Sequence, residues 1–291
     1  MYTVYLMGGL GNQLFQFAAA YAYSKKNGCH IEVDLSYLKR CPAHGGYRLD
    51  RLELGRYIYK DKISGILKHV VFRAIMREPK ISLLTNGRVV HEKFFSTSKI
   101  NHIISSNNVT LLGYWQDSNL FSQYHGFFKS NIIPKVKTEQ SNSYQKMIEN
   151  AENSVSIHVR RGDYVNNAAA FETHGVCSVS YYRNAISLIR EKIVKPHFFV
   201  FTNDPLWVNR GLEDIFADVE VTFVEGNSQE EDLWLMSQAK HHIIANSSFS
   251  WWGAWLAKHD MQMVISPEPW YDNPPQSSND PSLIDWIRLP K

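Results

Sequence analysis

Apolar and polar positions along the chain fall into two successive alternations of strand and helix periods. An apolar run at 2–7 leads into the turn Gly8-Gly9-Leu10-Gly11, a helical pattern over 12–26, Gly28 as a stop and a strand at 30–34, which together predict a β-α-β unit and the start of a parallel sheet. The second half repeats the alternation, with strand-like runs at 154–160, 197–201, 219–224, 241–245 and 262–266 and helix-like stretches at 179–195, 205–216, 228–240 and 248–259. Five strands and four crossovers predict one Rossmann-like domain there. Residues 136–153 are polar and suit an exposed connection, so the expected domains are 1–150 and 151–291. Six of the eleven prolines lie in the last 25 residues, predicting an extended tail laid over the body and not packed as regular structure.

One segment departs from this pattern by its charge. Residues 60–80 hold six Lys or Arg against Asp61 and Glu78, while Ile63, Ile66, Leu67, Val70, Val71 and Ala74 recur at helical spacing. Two readings stay open: a surface helix whose apolar stripe faces the core, or peripheral contact with an anionic membrane.

Length and composition bound the rest. The 291 residues suffice for two domains, and 44% hydrophobic with 20% charged residues is the composition of an ordinary folded protein. A net charge of +3 is far too small for a protein that grips nucleic acid by its phosphates. Cys29, Cys41 and Cys177 lack disulfide pairing logic and zinc-ligand spacing, no secretory signal is legible, and no apolar run approaches a spanning helix. The expectation is a cytoplasmic protein, with the sequons at Asn108 and Asn246 carrying no weight.

Candidate chemistry gathers at three strand ends, where open α/β sheets put their ligands. The glycine turn lets backbone approach a ligand, the helix after it offers free N–H groups, and Asn12 and Gln13 add donors. Asp34, 23 residues beyond Gly11, invites a ribose-binding reading and an NAD enzyme, but the spacing is G-G-x-G and not G-x-G-x-x-G, and a tight structural turn explains it equally. The second place is His158-Val159-Arg160-Arg161-Gly162-Asp163-Tyr164: two adjacent arginines at a strand end are costly to bury without anions, so they read as a phosphate clamp oriented by Asp163, or as a structural ion pair with it. The third is 246–255, where Asn246 or Ser247 caps a helix and the free serine hydroxyls make a phosphate cradle, with Trp251, Trp252 and Trp255 as core. Between them Asp204 is a helix cap or a partner for a nucleobase.

The combination of G-G-L-G-N-Q-L-F-Q at 8–16, H-V-R-R-G-D-Y at 158–164, F-T-N-D-P at 201–205 and N-S-S-F-S-W-W-G-A-W-L at 246–256 resembles the α-1,2-fucosyltransferases of glycosyltransferase family 11 in their bacterial form. The resemblance implies an α/β protein of GT-B type, two Rossmann-like domains facing across a cleft, the first on the acceptor side and the second binding GDP-fucose. It implies inverting transfer of L-fucose from GDP-β-L-fucose to the 2-OH of galactose, without a metal or other cofactor. Acceptors are expected to be galactose-terminated surface glycans such as O-antigen intermediates, lipid-linked ones among them. By resemblance Arg160 and Arg161 hold the diphosphate with His158, Asp204, Asn246, Ser247, Ser248 and Phe249 around the nucleotide, and Gly11 and Asn12 reach it from the first domain.

That chemistry has independent physical support. Breaking a sugar–phosphate bond develops charge on the departing diphosphate, and with no D-x-D motif fixed cations must meet it. For the base that deprotonates the acceptor, Asp163, Glu172 and His174 are within the motif loop or just beyond it, and Asp163 or His174 is expected. The competing class is a non-catalytic nucleotide-sugar or glycan-binding module.

Overall fold

The structure, a computed structural model, describes residues 1–41, 45–94, 108–161, 168–274 and 280–291. These fold into two compact units, Met1–Ile132 and Ile133–Lys291. Among the described residues no helix is long and apolar enough to cross a membrane.

In the first unit, β1 (Tyr2–Tyr5), α1 (Leu10–Asn27), β2 (Ile31–Asp34), α2 (Ser36–Arg40), β3 (Ile58–Lys62), α3 (Ile66–Arg77), β4 (Val89–His91), β5 (Val109–Leu112) and α4 (His125–Asn131) follow in order. The strands form one parallel sheet in the order β3-β2-β1-β5-β4. All residues of β1, β2 and β5 are buried, as in parallel sheets covered on both faces. Glu32 is tolerated in the centre because it pairs with Lys62 and accepts the Thr3 hydroxyl at 3.0 Å. Helix α1 starts at Leu10, two residues before the expected position, and ends where Gly28 adopts a left-handed φ of 61° and donates its N–H to Ser24.

Helix α3 reverses one of the two readings of the basic segment. The side chains it buries are His69, Phe72 and Ile75, not the stripe made by Ile66, Leu67, Val70 and Val71, which is exposed together with Ile63. His69 Nδ1 lies 2.6 Å from the Tyr5 hydroxyl, and Phe72 packs edge-on to Tyr5 with centroids 4.9 Å apart. The helix carries apolar residues on two opposite faces, and periodicity cannot choose between them; the hydrogen bond and the aromatic contact to β1 decide.

The second unit contains α5 (Glu139–Asn150), β6 (Asn153–Val159), α6 (Ala168–His174), α7 (Val179–Lys192), β7 (Pro196–Thr202), α8 (Pro205–Leu212), β8 (Glu220–Val224), α9 (Gln229–Met236), β9 (His241–Ile243), α10 (Ser248–Ala257), β10 (Val264–Glu268) and β11 (Ile287–Pro290). Its sheet is parallel, in the order β11-β10-β9-β6-β7-β8. One face packs Val155, Ile157 and Val159 under Tyr181, Tyr182, Ile186 and Ile189 of α7; the other packs Phe199 and Phe201 with Ile148 of α5 and Trp234 and Leu235 of α9.

Two sequence expectations change here. The units divide at Ile132/Ile133 and not near 150, because the polar stretch is bound to the second unit: Thr138 N donates to Glu231 Oε1 of α9 at 2.7 Å, Tyr144 Oη to the Phe223 carbonyl of β8 at 3.3 Å, and Ile148 is fully buried. The proline-rich tail does not stay irregular: β11 adds a parallel edge strand along β10, with Ile265 opposite Ile287. Edge positions tolerate proline because one side of the strand needs no ladder partner.

Candidate active site

In the second sheet the chain builds β6, β7 and β8 in one direction, returns to the other side of β6 with β9, and continues to β10 and β11. The order reverses between β6 and β9, and ligands of open α/β sheets bind outside the carboxyl ends of the strands at such a reversal. The end of β6 carries His158, with Arg160 and Arg161 just beyond it, and the segment leaving β9 carries Asn246, Ser247, Ser248 and Phe249.

Alternation along β6 sends Val155, Ile157 and Val159 into the core and leaves His158 on the opposite face. There its ring meets Phe249 from the first turn of α10, centroids 5.5 Å apart, so the two motifs are in direct contact. Arg160 is half-buried at the strand's end. Arg161 is anchored to the segment after β7: its guanidinium Nε lies 3.4 Å from Asp204 Oδ2, its guanidinium carbon sits 4.3 Å from the Trp207 ring centroid, and its backbone N–H donates to Asn203 Oδ1 at 3.1 Å. Asp204 also accepts the Trp207 N–H at 3.1 Å and so caps α8, the helix-cap role among its two expected readings. Asp163, the other expected partner of the arginines, lies outside the described residues, as do Gly162 and Tyr164.

The serine cradle is built differently from the expectation of free hydroxyls. Ser247 caps α10 by accepting the Phe249 N–H at 3.3 Å, and Ser250 donates back to the Ser247 and Ala245 carbonyls at 3.4 and 3.5 Å. Beside its first backbone N–H groups and the helix dipole, α10 offers an anion the Ser247 hydroxyl, which accepts the Phe249 N–H and keeps its own proton to donate. Asn246, expected among the donor-binding residues, is 1% exposed and ties the region together: its amide donates to the carbonyls of His174 at 2.7 Å and Trp270 at 3.2 Å, while its oxygen faces Cys177 Sγ at 3.7 Å. Lys291 Nζ donates to the same His174 carbonyl at 2.6 Å and pairs with Asp272 at 2.8 Å. The half-buried His174 packs its ring on Tyr271 at 5.3 Å, and Glu172 is exposed. Trp251, Trp252 and Trp255 are core, with Trp251 Nε1 donating to the Pro281 carbonyl at 2.7 Å.

The first sheet has its own reversal, between β1 and β5. Gly8 there has φ of +72°, and a Cβ on it would stand 2.5 Å from Asn12 Nδ2, so the turn requires glycine. Gly11 and Asn12 lie in the first turn of α1, and Asn12 Oδ1 accepts from Gln116 Nε2 at 2.9 Å, joining the segments that leave β1 and β5. Gln13 is a strut and not a ligand donor, since its amide spends its hydrogens on the Gly8 and Gly46 carbonyls at 3.0 and 2.8 Å. Asp34 is likewise consumed, by the Ser36 N–H at 3.0 Å and by the Ser36 and Ser64 hydroxyls, which removes the acid a ribose-binding loop needs.

Sequence reasoning passed over Glu92 and Gln116. Burial pushes the Glu92 carboxyl up to about 7, against the pull of the Tyr114 and Trp115 N–H groups it accepts, and Gly113, at φ of +130°, leaves room for it. Neither residue carries a motif signal: the pairing of β4 with β5 brings Glu92 to Gly113 and Trp115, and that of β5 with β1 brings Gln116 to Asn12. Among the described residues no group of three His, Cys, Asp or Glu side chains is placed to hold a metal ion.

Two Rossmann-like units, each with a strand-order reversal lined by polar or cationic side chains, define a protein of GT-B type. The sequence model of glycosyl transferase family 11 matches residues 71–290, and the chain belongs to that family. It is 39% identical over 288 residues to an alpha-1,2-colitosyltransferase of Escherichia coli, covering 98% of each chain. It is 31% identical to the Escherichia coli O-antigen biosynthesis glycosyltransferase WbnK, covering 98% of this chain and 99% of that one. The galactoside alpha-(1,2)-fucosyltransferase 2 of Pongo pygmaeus is 24% identical over 89% of this chain and 70% of its own. Among solved structures, a mutant of Arabidopsis thaliana FUT1 in complex with GDP superposes with a TM-score of 0.55 at 14% identity, covering 92% of this chain and 71% of that one. The NodZ alpha-1,6-fucosyltransferase co-crystallized with GDP gives 0.53 at 12%, covering 87% and 91%. The family expected from the four motifs is met, and so is the α/β fold of two Rossmann-like units.

Proposed function

We propose that the chain transfers L-fucose, with inversion, from GDP-β-L-fucose to the 2-OH of a galactose residue in a surface glycan such as an O-antigen intermediate. The observation that carries this reading is the contact between the H-V-R-R and N-S-S-F-S motifs at the β6/β9 reversal, where the His158 ring meets Phe249 in the first turn of α10 and Arg160 follows at the end of β6.

The chemistry follows from that arrangement. As the bond between the sugar and the diphosphate breaks, negative charge grows on the leaving group, and fixed donors that already point there stabilise it without reorganising. Arg160 supplies a charge-assisted donor to the diphosphate, the α10 N–H groups a second set, and Arg161, locked by Asp204 and Trp207, positions the backbone that carries Arg160. In this reading the cations do the work of a divalent metal, and no metal or cofactor takes part. Asp163 or His174 removes the proton from the acceptor hydroxyl. All three cysteines are free, which suits the cytoplasm as the place of reaction.

A second reading keeps the mechanism and changes the donor: the likeness to an alpha-1,2-colitosyltransferase favours transfer of colitose. One experiment addresses both. GDP release is measured in EDTA with GDP-fucose or a colitosyl nucleotide, over a panel of galactose-terminated disaccharides. Turnover of GDP-fucose alone is expected, turnover of the colitosyl nucleotide alone establishes the second reading, and donor binding without turnover of either across the panel identifies a non-catalytic binding module.

A further inference from the structure

Helix α3 has two apolar faces, and the fold uses one. At about 100° per residue, His69, Phe72, Ile75 and Met76 project to one side, the side that is buried on β1. Ile66, Leu67, Val70, Val71 and Ala74 project to the opposite side, and there Ile66 is 71% exposed, Leu67 76% and Val70 56%. Ile63 before the helix and Leu83 and Leu84 in the turn Pro79–Thr85, which packs against α3, are exposed as well; Leu84 is 82% exposed. Side chains of this size are seldom left together in water without a partner.

The rim of the stripe states what kind of partner. By the same geometry Arg73 and Arg77 lie along one border of the stripe and Lys68 along the other, and Lys80 and Arg88 flank the leucine turn. Glu78 is the acid among these positions, and it is engaged by the Lys80 N–H at 3.3 Å. An apolar stripe bordered by long cationic side chains matches an anionic bilayer interface, where the apolar groups enter the acyl boundary and the cations stay at the lipid phosphates. A second copy of the chain fits poorly. Across a two-fold axis the same patch meets itself, and the arginines of one stripe would face those of the other.

We propose that this face of α3, with the turn after it, docks the protein on an anionic phospholipid surface. The proposal is independent of the donor and acceptor assigned above, since no residue of the patch belongs to either strand-order reversal. It is tested by flotation of the full chain with phosphatidylcholine vesicles prepared with and without phosphatidylglycerol. The wild-type chain floats with the anionic vesicles and not with the neutral ones, and salt releases it. Leu67→Glu/Val70→Glu abolishes flotation, and Arg73→Glu/Arg77→Glu weakens it by at least the factor of roughly five per cation lost that an anionic leaflet confers. Both variants keep the wild-type far-UV circular dichroism and thermal unfolding midpoint, which shows that they fold. The proposal is overturned if the wild-type chain stays with the buffer, or if Leu67→Glu/Val70→Glu floats as well as wild type. It is equally overturned if sedimentation shows a wild-type dimer that this variant converts to monomer, because a second copy then covers the face.

Discussion

Arg161 Nε lies 3.4 Å from Asp204 Oδ2 while Oδ1 of the same carboxylate accepts the Trp207 N–H that opens α8. Two adjacent arginines therefore hold different positions: Arg161 is anchored to the segment after β7, and Arg160 is carried beside it at the end of β6. Substituting Asp204 by Asn keeps a capping oxygen and removes the charge; the half-exposed pair contributes less than about 1 kcal/mol, so stability changes little. GDP affinity falls nonetheless, because the anchored backbone loosens. Substituting Ala also removes the cap and costs about 1 kcal/mol more. Urea unfolding beside calorimetric GDP titration separates the two effects, and equal GDP affinity in wild type and Asp204→Asn contradicts the anchoring role.

Arg160→Ala is expected to fold normally and to lose roughly 10²–10³ in kcat, the usual loss for one preorganised donor to a developing anion. Arg160→Lys recovers little, since a point charge does not reproduce the guanidinium fork. Steady-state kinetics with GDP-fucose checks this, and activity within about tenfold of wild type for the alanine variant would sink the clamp.

Asn246→Ala acts on stability before it acts on chemistry. The change removes two buried hydrogen bonds, at about 0.5–1.5 kcal/mol each, and leaves Lys291 Nζ, at 2.6 and 3.4 Å, as the remaining donor to the His174 and Trp270 carbonyls. A lowered denaturation midpoint is expected at low temperature with GDP affinity close to wild type. A stable variant that no longer binds GDP shows that Asn246 touches the donor.

Gly8→Ala tests the glycine turn. The positive φ costs about 1–2 kcal/mol for any residue with a Cβ, and the methyl also displaces Asn12 from Gln116. Thermal unfolding is expected at a lower temperature, while Gly65→Ala, whose Cβ would meet nothing within 4 Å, serves as the control.

Stability against pH follows from buried groups on both units. Burial holds His91 and His241 near 4 and His242 near 3, below the ordinary 6.5, so the unfolded chain takes up protons as pH falls below 6.5 and stability is lost. Burial raises Glu92 and Asp232 to about 7, and these act in the opposite direction: the folded chain holds their protons, so stability falls as pH rises from the ordinary carboxylate range to 7. Three histidines against two acids leave a net loss of stability on acidification from 6.5 toward 4.5. Glu231 adds to it at lower pH: burial raises its carboxyl, but the Ser228 and Thr138 N–H groups outweigh that and hold it to about 2, so its contribution disappears as pH falls through 2. Glu92→Gln removes one opposing group, and its unfolding curve should improve relative to wild type as pH rises from 4.5 to 7. Parallel pH profiles for the two proteins contradict a protonated Glu92.

Local pattern and composition were enough to determine the alternation of β and α in both halves, the parallel sheets, the glycine stop after α1, the tryptophan core of α10 and the four motifs by which the family is legible. Those features depend on spacing along the chain, on the period of apolar residues and on the conformational limits of glycine, all of which are local. Tertiary structure decided the rest. It assigned residues 133–150 to the second unit through Thr138, Tyr144 and Ile148, and turned the proline-rich end into β11. It also engaged the side chains of Asn246, Ser247, Gln13 and Asp34 in internal hydrogen bonds. Above all it chose which face of α3 to bury. Periodicity alone does not choose between two apolar faces of one helix, and contacts from across the fold, the Tyr5 hydroxyl and ring 64 residues from His69 among them, made them unequal.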